Sequence, residues 1–169
     1  MRRPARLPPE ELAPYLLEVP DDPAPLDWPA LFGKDRPVEI EVGFGKGLFL
    51  ITEGEHRPEV SFLGIEIERK YTLFTATRLG KRALGNVRVV CADAKRFLRD
   101  RVGTASVQAI HVYFPDPWWK KRHHKRRLFN EEFTSQCVRV LRPGGRLHIA
   151  SDVQEYFGIP VAPTFEEVP

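Results

Sequence analysis

Four carboxylates stand where apolar stretches of this chain run out. Glu41 lies near the end of residues 38–42, Glu66 near the end of 61–67, Asp93 just after 87–91 and Asp116 just after 107–114. A carboxylate accepts hydrogen bonds from hydroxyls and amines and neutralises cations. Any one of these acids alone reads as a solvated strand end. Four in succession, closing four successive strands, fall on one rim of a sheet, and chance explains that poorly.

Between the first and second acid lies Glu41-Val-Gly-Phe-Gly-Lys-Gly47. Gly43, Gly45 and Gly47 permit a tight turn and a close approach of ligand to bare backbone, and the helix that follows offers free N–H groups. The spacing departs from the Gly-x-Gly-x-x-Gly pattern of dinucleotide sites, and an acid two residues before Gly43 would repel a pyrophosphate. An ammonium or sulfonium would be attracted instead. Glu66 follows the loop by about 20 residues, where an acid in such folds accepts from ribose hydroxyls. Asp93 suits an exocyclic adenine amine. Together the acids outline a site for an adenosine carrying a positively charged amino-acid tail, which is S-adenosylmethionine.

Asp116 sits in Phe114-Pro-Asp-Pro-Trp-Trp119, where prolines on both sides stiffen its backbone. Residues 120–127 then hold six Lys/Arg and two His. Charge runs are usually solvated faces. Two flat rings ahead of these cations suit phosphate and base recognition, so the run is read as a nucleic-acid grip.

These residues need a scaffold that brings strand ends together. From residue 37 onward, strands at 38–42, 61–67, 87–91, 107–114 and 146–151 alternate with helices at 48–55, 69–84, 95–101 and 130–141. In the last helix Phe133, Cys137 and Leu141 recur every four residues, and Arg142-Pro-Gly-Gly145 is a stop signal. Alternation of this kind predicts an α/β fold, a doubly wound and mainly parallel sheet with right-handed crossovers. Residues 1–37 contain nine of the sixteen prolines, so no regular helix is expected there beyond a turn near residues 10–17. That segment is either an arm laid over the domain or a loose tail. The domain reading is an arm at 1–36, one domain at 37–157 and an acidic tail at 158–169.

The chain has 169 residues and a net charge of +3, enough for one domain with a core. Residues 101–150 carry ten Lys/Arg against three acids, whereas 151–169 carry four acids and no base. Cys91 and Cys137 have no metal-ligand spacing and are expected as reduced core residues. Without an apolar run of about 18 residues, or an apolar stretch after the basic N-terminus, membrane spanning and secretion are not expected. The expected compartment is the cytoplasm.

EVGFGKG, FLGIEIERKY, CADA and above all FPDPWWKKRHHKRRL resemble the tRNA (guanine-N7-)-methyltransferase family of class I, Rossmann-like S-adenosylmethionine-dependent methyltransferases. The resemblance runs from about residue 37 to residue 156. It implies cofactor contacts from Glu41, the glycine loop, Glu66, Asp93 with Ala94, and Asp116, with Asp116 at the reaction centre. It further implies tRNA contacts from Lys120 and Asp152. No metal is called for. His111 and Trp119 receive no role beyond packing or stacking. Family members continue past the fifth strand through another helix and two strands, and place a Thr-x-x-Glu element for the guanine there. This chain ends about 17 residues after Asp152, so those elements are expected to be missing, and Thr164 and Glu167 match the element only by type. The fifth strand would then be an exposed edge.

The reading is therefore transfer of a methyl group from S-adenosylmethionine to guanine N7 in tRNA. Two alternatives stay open: an RNA-binding module of this fold without turnover, and a nicotinamide-dependent dehydrogenase. The glycine spacing and the lack of a hydride-site His or Tyr speak against the dehydrogenase.

Overall fold

The computed structural model describes residues 6–19, 21–116, 122 and 128–152. Five strands, β1 (Val38–Val42), β2 (Ser61–Glu66), β3 (Val87–Cys91), β4 (Val107–Tyr113) and β5 (Leu141–Ala150), form one sheet in the order β3-β2-β1-β4-β5. Every pairing is parallel. The doubly wound α/β expectation is met. Six helices accompany the strands among the described residues: α1 (Pro9–Leu12), α2 (Trp28–Phe32), α3 (Leu48–His56), α4 (Arg69–Gly80), α5 (Ala94–Arg101) and α6 (Glu131–Val140).

The pleat sends alternate residues to opposite faces. On one face Val38, Ile40, Val42, Leu63, Ile65, Val90, Ile110 and Val112 pack against Phe97 and Leu98 of α5 and Phe133, Cys137 and Val140 of α6. On the other, Phe62, Val87 and Val89 meet Leu50 and Ile51 of α3 and Ala76 and Leu79 of α4. Each fully buried aliphatic or Phe side chain contributes about 1.5–3 kcal/mol relative to exposure. The central strand is the exception in this pattern: on the second face it presents Glu39 and Glu41, both buried.

The Pro-rich arm is laid over the domain. Two short helices form in it rather than one turn, because Pro9 and Pro29 occupy first-turn positions, where a missing N–H leaves no hydrogen bond unmade. The expectation of no regular helix at 28–32 is thus corrected. Asp27 caps α2 by accepting from the Ala30 N–H at 2.9 Å. Leu12 is buried, and Leu16 bridges to Val89. The Leu17 N–H donates to the Val89 carbonyl and the Val89 N–H to the Tyr15 carbonyl, each at 2.8 Å. The arm therefore covers the β3 edge of the sheet, which would otherwise be open to another chain.

Other boundaries differ from expectation for local reasons. α4 stops at Gly80 rather than residue 84, since Ala83 takes a left-handed φ of 51° and the Leu84 N–H turns back to the Leu79 carbonyl. β5 starts at Leu141: Val107 pairs with Leu141 and Ala109 with Arg146, so the Pro-Gly-Gly stretch interrupts the ladder without ending the strand. Cys137 is buried as expected, but Cys91 is exposed, because as the last residue of β3 it leans over the strand end toward the Ile67 carbonyl. β5 is the outer strand of the described sheet. The expectation about further C-terminal elements falls on residues 153–169, outside the described residues. Among the described residues no helix is long and apolar enough to cross a membrane.

Candidate functional site

The parallel register brings the carboxyl ends of the strands to one rim. Glu41 is the penultimate residue of β1 and lies level with Gly64 of β2 and His111 of β4. Glu66 closes β2, Asp93 follows β3 by two residues, and Asp116 follows β4 by three. The acids differ sharply in environment.

Glu41 is 5% exposed, and its Oε2 has no hydrogen-bond partner among the described residues. Burial pushes its carboxyl up to about 8, and the nearby Glu66 charge adds to the rise. Such a group is neutral at moderate pH and ionises once a cation is placed beside it. In front of it the chain turns through Gly43, Gly45 and Gly47, with φ of 74°, 53° and 72°. A Cβ at Gly43 or Gly45 would meet nothing within 4 Å. The loop thus offers bare backbone and open room at Gly43 and Gly45, two residues beyond an enclosed carboxyl oxygen without a partner among the described residues. Gly47 is glycine for a different reason: its Cβ would lie 2.3 Å from Thr75 Cγ2 on α4. That close approach lets Thr75 Oγ1 donate to the Gly45 carbonyl at 3.2 Å.

Glu66 is also buried and already oriented. Its Oε2 accepts from the Gly45 N–H at 3.0 Å and its Oε1 from the Glu68 N–H at 3.1 Å. Each oxygen keeps a second lone pair for a ligand hydroxyl. Asp93 is exposed and caps α5, Oδ1 accepting from the Arg96 N–H at 3.0 Å. Ala94 opens that helix. Asp116 and Asp152 are both exposed beyond the ends of neighbouring strands, β4 and β5. Lys120, Trp119, Thr164 and Glu167, with all of the basic run except Arg122, lie outside the described residues.

Beneath the rim sits a polar network that sequence reasoning missed. Glu39 accepts from Arg57 Nη1 at 2.8 Å and Nη2 at 2.9 Å, and from Gln108 Nε2 at 2.9 Å; it also bonds His111 Nε2 at 2.7 Å. His111 Nδ1 meets the Tyr113 hydroxyl at 2.9 Å, and its ring stacks on His148 at 4.8 Å. His111 is therefore a packed strand histidine, the role first read for it. Alternation of two acids in Val-Glu-Ile-Glu-Val was the available signal, since strands of a parallel sheet are covered on both faces.

A parallel sheet in this strand order, with a glycine loop leaving the first strand and acids on the rim, is the Rossmann-like fold of class I methyltransferases. The chain belongs to the methyltransferase family described as "Putative methyltransferase", whose model matches residues 35–164. It is 47% identical over 151 residues to a tRNA (guanine-N(7)-)-methyltransferase of Rhodopirellula baltica, covering 86% of this chain and 56% of that protein. It is 43% identical over 148 residues to the protein of the same name from Ralstonia nicotianae, covering 87% and 59%. The chain thus spans somewhat more than half the length of these curated relatives. Among solved structures, the antibiotic-resistance methyltransferase Kmr aligns with a TM-score of 0.57 and 21% identity, covering 83% of this chain and 67% of Kmr. A SAM-dependent methyltransferase from Aquifex aeolicus aligns at 0.53 and 18% identity, covering 70% and 58%. Family membership bears out the resemblance read from the sequence and sets the dehydrogenase alternative aside.

The Glu41 environment has a consequence for stability. Its folded value lies above that of an unfolded chain, about 4.3, so its contribution is complete below that pH and is lost as pH rises toward 8. Glu41→Gln is expected to raise the melting temperature of the ligand-free protein more at pH 8 than at pH 5. Equal shifts at both pH values would mean the carboxyl is not desolvated.

Proposed function

We propose that this chain binds S-adenosylmethionine at the β1–β2–β3 end of the rim and transfers its methyl group to guanine N7 of tRNA in the cytoplasm. The observation that carries the reading is a buried carboxyl, Glu41, whose Oε2 has no hydrogen-bond partner among the described residues and which stands two residues ahead of a glycine loop with open space at Gly43 and Gly45. The choice of tRNA rests on the names of the relatives and on the basic run at 120–127.

When bound, the cofactor supplies a methyl group on a sulfonium. Glu41 would hold the ammonium of the amino-acid tail, with the Gly43–Gly47 backbone beside it. Glu66 would accept from the ribose hydroxyls, and Asp93 with Ala94 would border the adenine. Guanine N7 carries a free lone pair, so no proton has to leave before attack. Catalysis is then alignment, worth up to about 7–11 kcal/mol in well-oriented systems. Asp116 orients the guanine and offsets the positive charge that grows on it. Lys120 and Asp152 hold the tRNA around it.

The direct test is transfer of labelled methyl to unfractionated tRNA, with 7-methylguanosine identified in the nuclease digest. Glu66→Ala is expected to weaken S-adenosylmethionine binding at least tenfold by calorimetry, since each hydrogen bond to a charged acceptor contributes about 1.5–3 kcal/mol. Unchanged affinity would move the cofactor off this rim. Binding of cofactor and tRNA without transfer would leave the RNA-binding module as the better description.

A further inference from the structure

Three non-glycine residues among those described have a left-handed backbone: Ala83, Ala105 and Phe114. The two alanines lie in turns and are small. Phe114 is bulky, has φ of 48° and directly precedes Pro115, a neighbour that further disfavours helical backbone at the preceding residue. Strain of this kind persists only where surrounding structure enforces it, and it clusters at functional positions. Here the enforcement is visible: the Phe114 N–H donates to the Ala150 carbonyl at 2.7 Å, holding the residue between the ends of β4 and β5.

The result is an aromatic ring that is 69% exposed on the rim, two residues before Asp116. Burial therefore does not account for the ring. The residues assigned to the adenosine, Glu66 and Asp93, end β2 and follow β3, on one side of β1; Phe114 directly follows β4, on the other side. We propose that Phe114 is the stacking platform for the methyl-acceptor base, presenting a flat apolar face on which the guanine rests while Asp116 meets its edge. This inference rests on the tRNA-methylation reading and adds a residue to its acceptor side.

Stacking of a base on an aromatic side chain is sequence-tolerant but needs a flat ring, so an aliphatic side chain of similar bulk does not replace it. The test compares wild type with Phe114→Gly, Phe114→Leu and Phe114→Trp in three measurements: thermal melting, S-adenosylmethionine affinity by calorimetry, and kcat and KM for tRNA. Glycine relieves the left-handed backbone and removes a mostly exposed side chain, so this variant is expected to melt no lower than wild type. Cofactor affinity should stay within about twofold in all three variants. For tRNA, kcat/KM is expected to fall about tenfold or more in the Gly and Leu variants, as loss of a stacked base implies. Phe114→Trp should stay within about threefold of wild type, because it retains a stacking face.

A Leu variant with wild-type kcat/KM would overturn the inference, as would a cofactor affinity that falls in step with turnover. A wild-type protein that binds cofactor but methylates no tRNA would instead overturn the reading beneath it, and the inference with it.

Discussion

Asp116→Asn is expected to lower the single-turnover rate of methyl transfer to tRNA, at saturating cofactor, by about a hundredfold or more. Attack by guanine N7 leaves positive charge on the purine, and a fixed carboxylate beside it stabilises the transition state more than the ground state. Asparagine keeps the shape and loses the charge. Asp116 is exposed on the rim, and surface substitutions usually stay within about 0.5 kcal/mol of wild type. The same variant should therefore melt within about 2 °C of wild type, given about 2–4 °C per kcal/mol for a chain of this size. Near-wild-type transfer would remove Asp116 from the reaction centre. Reduced transfer with an equally reduced melting temperature would make it a structural residue.

The second large effect lies in the layer below. Glu39→Ala leaves Arg57, Gln108 and His111 without the carboxylate they share. Removing one partner of a buried ion pair costs about 3–5 kcal/mol. Arg57 is 32% exposed and can rehydrate, which favours the lower end. A loss of about 3 kcal/mol corresponds to roughly 6–12 °C in melting temperature. A drop below 2 °C would show that the network is not coupled to folding.

The pH dependence of this network follows from its charges. Burial alone would raise the Glu39 carboxyl, but hydrogen bonds from His111, Arg57 and Gln108 outweigh it and hold the group well below the usual carboxylate range. A depressed folded value contributes stability above the unfolded value of about 4.3, and that contribution is lost as pH falls toward the folded value. The gap in melting temperature between wild type and Glu39→Ala should therefore narrow in acid. Glu41 acts in the opposite direction, weakening the free protein as pH rises toward 8.

Much of the candidate site's placement was legible before the fold. Strand ends, glycine loop and acids are local signals: a short apolar run, turn chemistry and a charge at the end of that run each involve a few adjacent residues. Once the parallel order is inferred from alternating strands and helices, those ends must converge on one rim, and Glu41, Glu66, Asp93 and Asp116 follow. Helix and strand boundaries were less legible. Gly80 and Leu141 are set by backbone hydrogen bonds to residues several positions away, which composition does not encode.

Long-range partners were decided only by the tertiary structure. Nothing near Glu39 announces Arg57, Gln108 or His111, which lie 18, 69 and 72 positions along the chain. Their meeting depends on register between β1 and β4 and on where α3 ends. The same holds for the arm, whose backbone pairing with Val89 covers an edge that its proline content gave no reason to expect. It holds for Phe114 as well: the sequence shows an aromatic before Pro-Asp-Pro, but its exposure, its left-handed backbone and the hydrogen bond from its N–H to Ala150 of β5 are seen only in the fold. Sequence by itself determined which chemical groups reach the rim, because that depends on where each apolar run ends and on the alternation of strands with helices that makes the sheet parallel. The fold decided which of them are desolvated, paired or left without a partner, because those states depend on neighbours brought in from distant parts of the chain.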